Sequence, residues 1–380
     1  MSIHKRTTKT KGASWVVRWR DPRPREKSFR TKAEAERFER RVGYGLDTGT
    51  YRDPLYDRVT FAQWHERWWP TVQVGRAPKT VSQYEWALRL HVLPHLGPRR
   101  LSTIRRIDLE EWLAELHAEG LGYSSIRRAR TLAGMALSSA VDSGIIAANP
   151  GAGIRLKKPP TKAKQALTAA QVEVLADAFE ERYRALILVL GYGGLRPGEA
   201  LALRRRHFDH LHASLIVEEA QSEANGRLHV SDTKTHKIRL VPLPESVSEA
   251  LAAHVRQHVE ADGDALIFTT PAGTRMRLSN LFHREWSQAR VRAGLPKWVT
   301  PYTLRHTCAS LLAACGVDCG TAAEIMGHDP AVYLSIYRHL YPGDLQRAAA
   351  ALDRARRQVA RVSDGGELVL CVEGHERVTA

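Results

Sequence analysis

Residues 157–162 read Lys157-Lys158-Pro159-Pro160-Thr161-Lys162. Two consecutive prolines supply no amide donor and hold φ near −65°, so neither a helix interior nor a central strand passes through them. The flanking lysines keep the segment in water, and a Pro-rich stretch of this kind is stiff. Asn149-Pro150 closes whatever precedes it. A chain of 380 residues is also longer than the roughly 100–200 residues that one ordinary core takes. Independent parts are therefore expected on either side of a linker at 156–162.

The linker also divides the charge. Of 57 Lys+Arg and 41 Asp+Glu, residues 1–162 carry 31 and 16, a net +15, whereas residues 163–380 carry 26 and 25, a net +1. An apolar content of 43% excludes a disordered basic tail, so a folded basic half expects a polyanion. Arg outnumbers Lys 44 to 13, which a GC-rich genome produces unaided; the uneven placement of charge is the informative part. No run of about 18 apolar residues exists, and the basic N-terminus lacks the apolar core of a signal peptide, so a soluble cytoplasmic protein without a membrane partner is expected. Four cysteines fit neither a disulfide framework nor a C-x-x-C module. Cys308, Cys315 and Cys319 with His328 are the one conceivable metal set, but the first two lie in an apolar helical run. Packed thiols, with no metal and no cofactor, are the expectation.

Residues 1–58 read as a small sheet followed by a helix. Trp15, Val17 and Trp19 alternate with Val16, Arg18 and Arg20, a period of two. Asp21-Pro22 and Pro24 then turn the chain into a second short strand at 27–30, and Thr31 caps a helix through Arg41. The first thirty residues, Lys5 among them, hold ten basic and two acidic side chains. Such a sheet either lays Arg18 and Arg20 in a DNA groove or wears them as a solubilising face over a tryptophan core.

Residues 59–155 read as a helical bundle. Phe61, Trp64 and Trp68 follow Thr60; a helix over 80–90 follows Pro78; Asp108 starts Leu109, Trp112, Leu113 and Leu116; and 124–141 ends at Gly144. The tryptophans at these spacings are core rather than stacking platforms for bases. Lys79, Arg99, Arg100, Arg127 and Arg128, with Lys157 and Lys158 of the linker, stand near helix ends or on polar faces, where a phosphate backbone is easily reached.

The neutral half carries the chemistry. Thr168-x-x-Gln171 is a capping box that opens a helix. In Gly193-Gly194-Leu195-Arg196-Pro197-Gly198-Glu199, a proline in the first helical turn sets the Arg196 guanidinium beside helix-start amides, which suits an oxyanion; a plain Arg196–Glu199 pair is the alternative. Residues 231–235 and 238–243 read as the strands of a hairpin with Lys234 near its loop. Tyr302-Thr303-Leu304-Arg305-His306 opens a helix, Met326-Gly327-His328-Asp329-Pro330 turns tightly between two helices, and Tyr337 stands nine residues after His328.

This ordered set, G-L-R-P-G-E, T-K, L-R-H-T, G-H and a tyrosine, resembles the tyrosine recombinases, in particular the phage-type integrases. The resemblance implies a mainly α fold with small β elements (α+β) in three domains: an arm-type DNA-binding domain at 1–58, a core-site-binding helical domain at 59–155, and a catalytic domain at 163–345, followed by a C-terminal helix and tail at 346–380. It implies Tyr337 as nucleophile, Arg196 and Arg305 as a clamp on the scissile phosphate, Lys234 as the acid for the leaving 5′ oxygen, and His328 as a partner of the phosphate. One position departs from the family, which usually has histidine three residues before the second arginine, where this chain has Tyr302. Proton transfer is then expected to rest more on His328, with His306 an outside candidate for the missing histidine's role. Tyr333 and Tyr341 compete with Tyr337, and Lys237 with Lys234, but the family spacing favours Tyr337 and Lys234.

Chemistry explains these residue types. A tyrosine hydroxyl, with a reference pKa of ~10, must lose its proton as it attacks. Planar guanidiniums meet the charge that develops on phosphate oxygens without a metal, and a phosphotyrosine link conserves the energy of the diester. The implied partners are double-stranded DNA at core and arm sites, three further copies of the chain in a tetramer, a DNA-bending host factor and an excision directionality factor. A topoisomerase IB-like nicking-resealing enzyme and a non-enzymatic DNA-binding regulator are the alternatives, the second with Tyr302 as its only foothold. A host chromosome-dimer resolvase usually lacks the extra N-terminal domain. The segment 345–362 carries one apolar stripe, which docks either on a neighbouring copy or on its own catalytic domain, and 367–372 adds a short strand or a tail.

The charge split generates a first prediction. Deleting residues 1–58 is expected to reduce the salt slope of binding to DNA that contains arm sites, because every phosphate no longer neutralised by the protein retains its counterions. Titrations across a salt series, with an isolated core site as control, measure it; an unchanged slope would remove the arm-domain reading.

Overall fold

The computed structural model describes residues 1–8, 12–21, 23–47, 56–160, 165–232, 238–340, 349–354 and 356. Lys234, Lys237, Tyr341 and the expected strand at 367–372 lie outside them. Two compact units divide the chain, Met1–Thr161 and Lys162–Ala380. Among the described residues, no helix is long and apolar enough to cross a membrane.

The first unit opens with an antiparallel meander, β1 (Ser2–Thr8), β2 (Gly12–Asp21) and β3 (Arg23–Phe29), followed by α1 (Lys32–Asp47). Ile3 and Lys27 face Val17 across the two ladders. Because side chains alternate, this register gathers Trp15, Val17 and Trp19 on one face, where Trp19 meets Phe38 of α1 with ring centroids 5.3 Å apart. Lys5, opposite Trp15, belongs to that face. Arg18 and Arg20 point the other way and are exposed. β1 was not expected as a strand, since Ile3 is its one apolar residue. Thr31 and Glu34 cap α1 reciprocally at 3.3 Å, and the helix runs past Arg41 to Asp47 because Ala35, Phe38 and Val42 continue the buried stripe.

A second core in this unit belongs to α2 (Phe61–Gln73), α3 (Pro78–Ala87), α4 (Leu93–Leu96), α5 (Arg106–Ala118) and α6 (Tyr123–Asp142). The helix expected over 80–90 begins instead at Pro78 and passes through a π-helical turn, Leu88–Val92, into α4. α5 starts at Arg106, and Asp108 is its third residue, its carboxylate accepting from the Arg105 amide at 2.7 Å. Trp64 donates to the Ala136 carbonyl at 2.8 Å and Trp112 to that of His91 at 3.0 Å. Both indoles are core, and their N–H groups are satisfied.

The second unit comprises α7 (Ala169–Asp177), α8 (Glu181–Tyr192), α9 (Pro197–Ala200), β4 (Phe208–Asp209), β5 (Ser214–Val217), β6 (Glu219–Ala224), β7 (Arg227–Asp232), β8 (Arg239–Pro242), α10 (Glu245–His258), α11 (Leu278–Leu281), α12 (Ser287–Arg292), α13 (Pro301–Ala314), α14 (Cys319–Met326) and α15 (Pro330–Tyr337). Its main core surrounds α8, which is apolar on nearly every side and packs on α7, α10 and α13.

The hairpin expected around Lys234 does not form. β7 pairs with β6, while β8 pairs with β5 in the sheet β4-β5-β8. Asn225 and Gly226, both at positive φ (48° and 72°), make the β6–β7 turn, the Asn-Gly pattern that tight hairpins favour. Residues 233–237 thus join strands of two different sheets.

Trp286 is fully buried in this core, its indole 5.7 Å from the Phe179 ring and donating to the Val299 carbonyl at 3.0 Å. Trp286→Phe leaves that carbonyl without its donor and is expected to cost about 1–3 kcal/mol. A lower urea midpoint for the second unit's transition, at unchanged slope, is the readout.

Candidate active site

The last carbonyls of a helix have no intrahelical donors. α14 ends at Met326, where Gly327 adopts the left-handed conformation (φ 60°, ψ 45°). Arginines from three other elements then fill the helix end. Arg239 of β8 donates Nε–H to the Ile325 carbonyl at 3.2 Å, Arg305 of α13 donates Nη2–H to that of Met326 at 2.5 Å, and Arg196, the residue preceding α9, donates Nη2–H to that of Gly327 at 3.3 Å. Glycine is required at 327 twice over, for its positive φ and because a Cβ there would lie 2.9 Å from the Arg239 side chain. Arg305 also donates Nη1–H to the Gly194 carbonyl at 2.6 Å.

Glu199 holds two of these guanidiniums. Its carboxylate, 1% exposed, accepts from Arg239 Nη2 at 2.6 Å and from Arg196 Nη1 at 2.7 Å. Burial alone would raise the acid's pKa, but hydrogen bonds and charge from Arg239 and Arg196 outweigh it and hold the group below its ordinary value. The Arg196–Glu199 pair exists, then, yet Arg196 keeps a side chain 20% exposed. Arg305 is pushed down to about 10, first by burial and then by the charge of Arg196.

Asp329 caps α15 through the Ala331 amide at 2.9 Å, and Pro330 fixes its first turn. His328 sits in the intervening turn and accepts at Nε2 from Arg305 Nη2 at 2.9 Å. An arginine only donates, so the imidazole proton resides on Nδ1, which is buried without a hydrogen-bond partner. Burial, then the charges of Arg305, Arg196 and Arg239, push His328 down to about 3. It is a neutral donor across the physiological range. That corrects the expectation that His328 takes over proton transfer, since its basic nitrogen is already occupied.

Tyr337 ends α15 and is 1% exposed. Its hydroxyl lies 2.5 Å from His306 Nδ1, and its ring stacks on His328 at 6.2 Å between centroids. Burial pushes the phenol up to about 12, against the opposing charge of Arg305.

Four expected residues, Arg196, Arg305, His328 and Tyr337, therefore converge. Tyr302 does not join them; it is 49% exposed on the first turn of α13. Arg239 was missed, and its signal was a lone arginine in an apolar strand, Ile238-Arg239-Leu240-Val241. Cys308 serves packing, buried and donating to the Tyr192 carbonyl at 3.3 Å, whereas Cys315 is exposed and Cys371 lies outside the described residues. Among the described residues, no group of three metal-ligating side chains gathers. Of the basic residues in the first unit, Lys5, Arg18, Arg20, Lys79, Arg99, Arg100, Arg127, Lys157 and Lys158 are exposed and Arg128 is half-buried. Arg18 bridges Glu26 at 3.1 Å and Arg99 bridges Asp108 at 3.0 Å.

Comparison with known proteins bears on the whole arrangement. The pattern of the Phage integrase family matches residues 165–343, and that of the phage integrase N-terminal SAM-like domain matches residues 60–117. A tyrosine recombinase XerC of Xanthomonas axonopodis pv. citri is 32% identical over 272 residues, covering 69% of this chain and 83% of that protein. The chain belongs to the tyrosine recombinases. This family of site-specific DNA recombinases also includes an integrase of Mycobacterium phage FRAT1, 26% identical to this recombinase over 276 residues (71% of this chain, 80% of that one). The fold is that of the Tn1549 transposon integrase, solved in complex with a circular intermediate DNA, at a TM-score of 0.66 and 23% identity over 78% of this chain and 99% of that one.

Glu199→Gln leaves buried guanidiniums without their counter-charge, and breaking such a pair costs about 3–5 kcal/mol. The folded-state pKa is depressed, so the carboxylate's contribution is complete above its ordinary value of 4.5 and is lost as the pH falls through the lower folded value. Urea titrations of both proteins are expected to differ by that amount at neutral pH and to converge in acid.

Proposed function

We propose that this tyrosine recombinase is a mobile-element integrase that cleaves and rejoins DNA through a 3′-phosphotyrosine intermediate at Tyr337. The observation that carries the reading is the convergence of Arg196 and Arg305 on the turn of Gly327 and His328, with the His328 Nδ1–H unpartnered and its ring stacked on that of Tyr337. Three guanidiniums against one carboxylate leave two surplus positive charges in a largely buried site. A phosphodiester carries one negative charge, and nucleophilic attack builds a second on its equatorial oxygens. Preorganised positive donors therefore stabilise the transition state more than the ground state.

The Tyr337 oxygen forms the bond to phosphorus as the 5′ oxygen leaves; the phenol loses a proton and the leaving oxygen gains one. Arg196 and Arg305 hold the non-bridging oxygens, His328 donates its Nδ1–H to one of them, and Lys234 is assigned the leaving-group proton on the family's Thr-Lys pattern. Religation runs the same steps backwards with a 5′ hydroxyl from another strand, without ATP. Residues 59–155 with the linker lysines are assigned to core DNA, and residues 1–58, with Arg18 and Arg20 on the sheet face turned away from α1, to arm DNA. The working assembly is a homotetramer on double-stranded DNA, with a DNA-bending host factor and a directionality factor for excision. The kinship with phage and transposon integrases supports strand exchange over simple nicking and resealing.

Tyr337→Phe is expected to abolish the covalent protein–DNA adduct on a nicked suicide substrate while leaving gel-shift affinity unchanged. Adduct at wild-type yield from the variant would remove Tyr337 from the role, and no adduct from the wild-type protein would remove the proposed chemistry.

A further inference from the structure

We propose that His306 is the general base that takes the Tyr337 proton during cleavage and returns it during religation. The assignment rests on the recombinase reading above and goes beyond it, because the five residues of the family's pattern that this chain keeps leave the phenol proton without a destination.

Geometry supplies the destination. His306 Nδ1 lies 2.5 Å from the Tyr337 oxygen, with the two rings 5.7 Å apart at 56°. The phenol is protonated at neutral pH, its value pushed up to about 12 by burial, and with the imidazole in the tautomer that carries its hydrogen on Nε2, the phenol O–H donates to Nδ1. A phenol that is 1% exposed hands its proton to a fixed neighbour rather than to bulk water. His328 is not that neighbour. Its Nε2 is occupied by Arg305, and its Nδ1 already bears hydrogen. Arginines only donate.

Helix geometry explains how position 306 does the work usually done from position 302. The two stand four residues apart in α13 and share one face. Helical side chains lean toward the N-terminus, so an imidazole at 306 reaches back over the turn that carries Tyr302, which is itself half-exposed. The step balances. As the Tyr337 oxygen bonds to phosphorus, its proton passes to His306 Nδ1 and gives an imidazolium, while the bond to the 5′ oxygen breaks and that oxygen takes a proton from a separate acid. In religation the imidazolium returns the proton to the departing phenolate.

The test uses the full chain and a nicked suicide duplex bearing the core sequence repeated at the two ends of the integrated element. The duplex is made in two forms, with the ordinary 5′ oxygen and with a bridging 5′ sulfur, which leaves without protonation. His306→Ala and His306→Asn are compared with the wild-type protein, and Tyr337→Phe serves as the blank. Asparagine keeps a hydrogen-bonding atom near the Nδ1 position but cannot carry a proton. Both His306 variants are expected to form adduct about 10²–10⁴-fold more slowly, the range typical of a lost general base, on both duplexes and with unchanged gel-shift affinity. Added imidazole is expected to restore part of the rate to His306→Ala.

Wild-type rates from His306→Asn would reduce His306 to a positioning hydrogen bond and overturn the proposal. A defect that vanishes on the sulfur duplex would overturn it too, by placing His306 on the leaving group. If the wild-type protein forms no Tyr337-dependent adduct, the recombinase chemistry itself fails and takes this assignment with it.

Discussion

A helix leaves its last carbonyls facing away from any intrahelical donor, and in α14 the oxygens of Ile325, Met326 and Gly327 are met by guanidiniums from β8, α13 and the turn before α9. The negative end of the helix dipole favours that charge. Each arginine is thereby fixed by the backbone, two of them also by the buried Glu199 carboxylate, and the turn that carries His328 is fixed with them. Arg305 shows the reach of the planar fork, meeting the Gly194 carbonyl with one nitrogen and the Met326 carbonyl and His328 with the other. A lysine ammonium has no such fork. Arg239 has no part assigned in the chemistry, yet it closes the first of these carbonyls and half of the carboxylate pair with Glu199.

Three like charges in a largely buried site repel one another, and the pKa of Arg305 is depressed first by its burial and then by the charge of Arg196. Glu199 compensates only in part. The surplus positive charge costs folding stability and is what an oxyanion would relieve, so the same imbalance that strains the free protein supplies the attraction for a phosphate. Burial first, and then the imbalance, keep His328 neutral: a further proton there would be desolvated and would add a charge of the same sign beside three others.

Much of this was legible in the chain, and the rest was hidden for identifiable reasons. Helices of the bundle showed themselves through Phe61, Trp64 and Trp68 and through caps such as Thr60, because burial and capping are local patterns. Gly327, Asp329 and Pro330 announced the turn around His328 in the same way. Strand pairing was not local. The Asn225-Gly226 turn lay in plain view, but the apolar run after Lys237 drew β8 toward the wrong partner, since which strands pair depends on a sheet assembled from β4 and β5 far upstream. β1 failed to register because its inward residues, Ile3 and Lys5, include a charge. Arg239 left only the trace of a lone charge in an apolar run, and His306 stood as no more than an outside candidate, because their importance lies in what faces them across the fold: Glu199 in one case, Tyr337 in the other.

Tyr333 and Tyr337 share a small cluster with Ala309, Ala313, Ala322, Ala323 and Met326, separate from the main core of the second unit. Four alanines on α13 and α14 provide the room in which two tyrosine rings, 4.8 Å apart, lie side by side. The position of the Tyr337 oxygen is consequently a matter of clearance. One added methylene on either facing helix would consume the space that a ring occupies and would displace the hydroxyl from His306 and the ring from His328 at once. In mechanical terms the atom proposed as nucleophile sits at the end of a stack of spacers, and alanine, the smallest of them that still holds a helix, sets the tolerance of its placement.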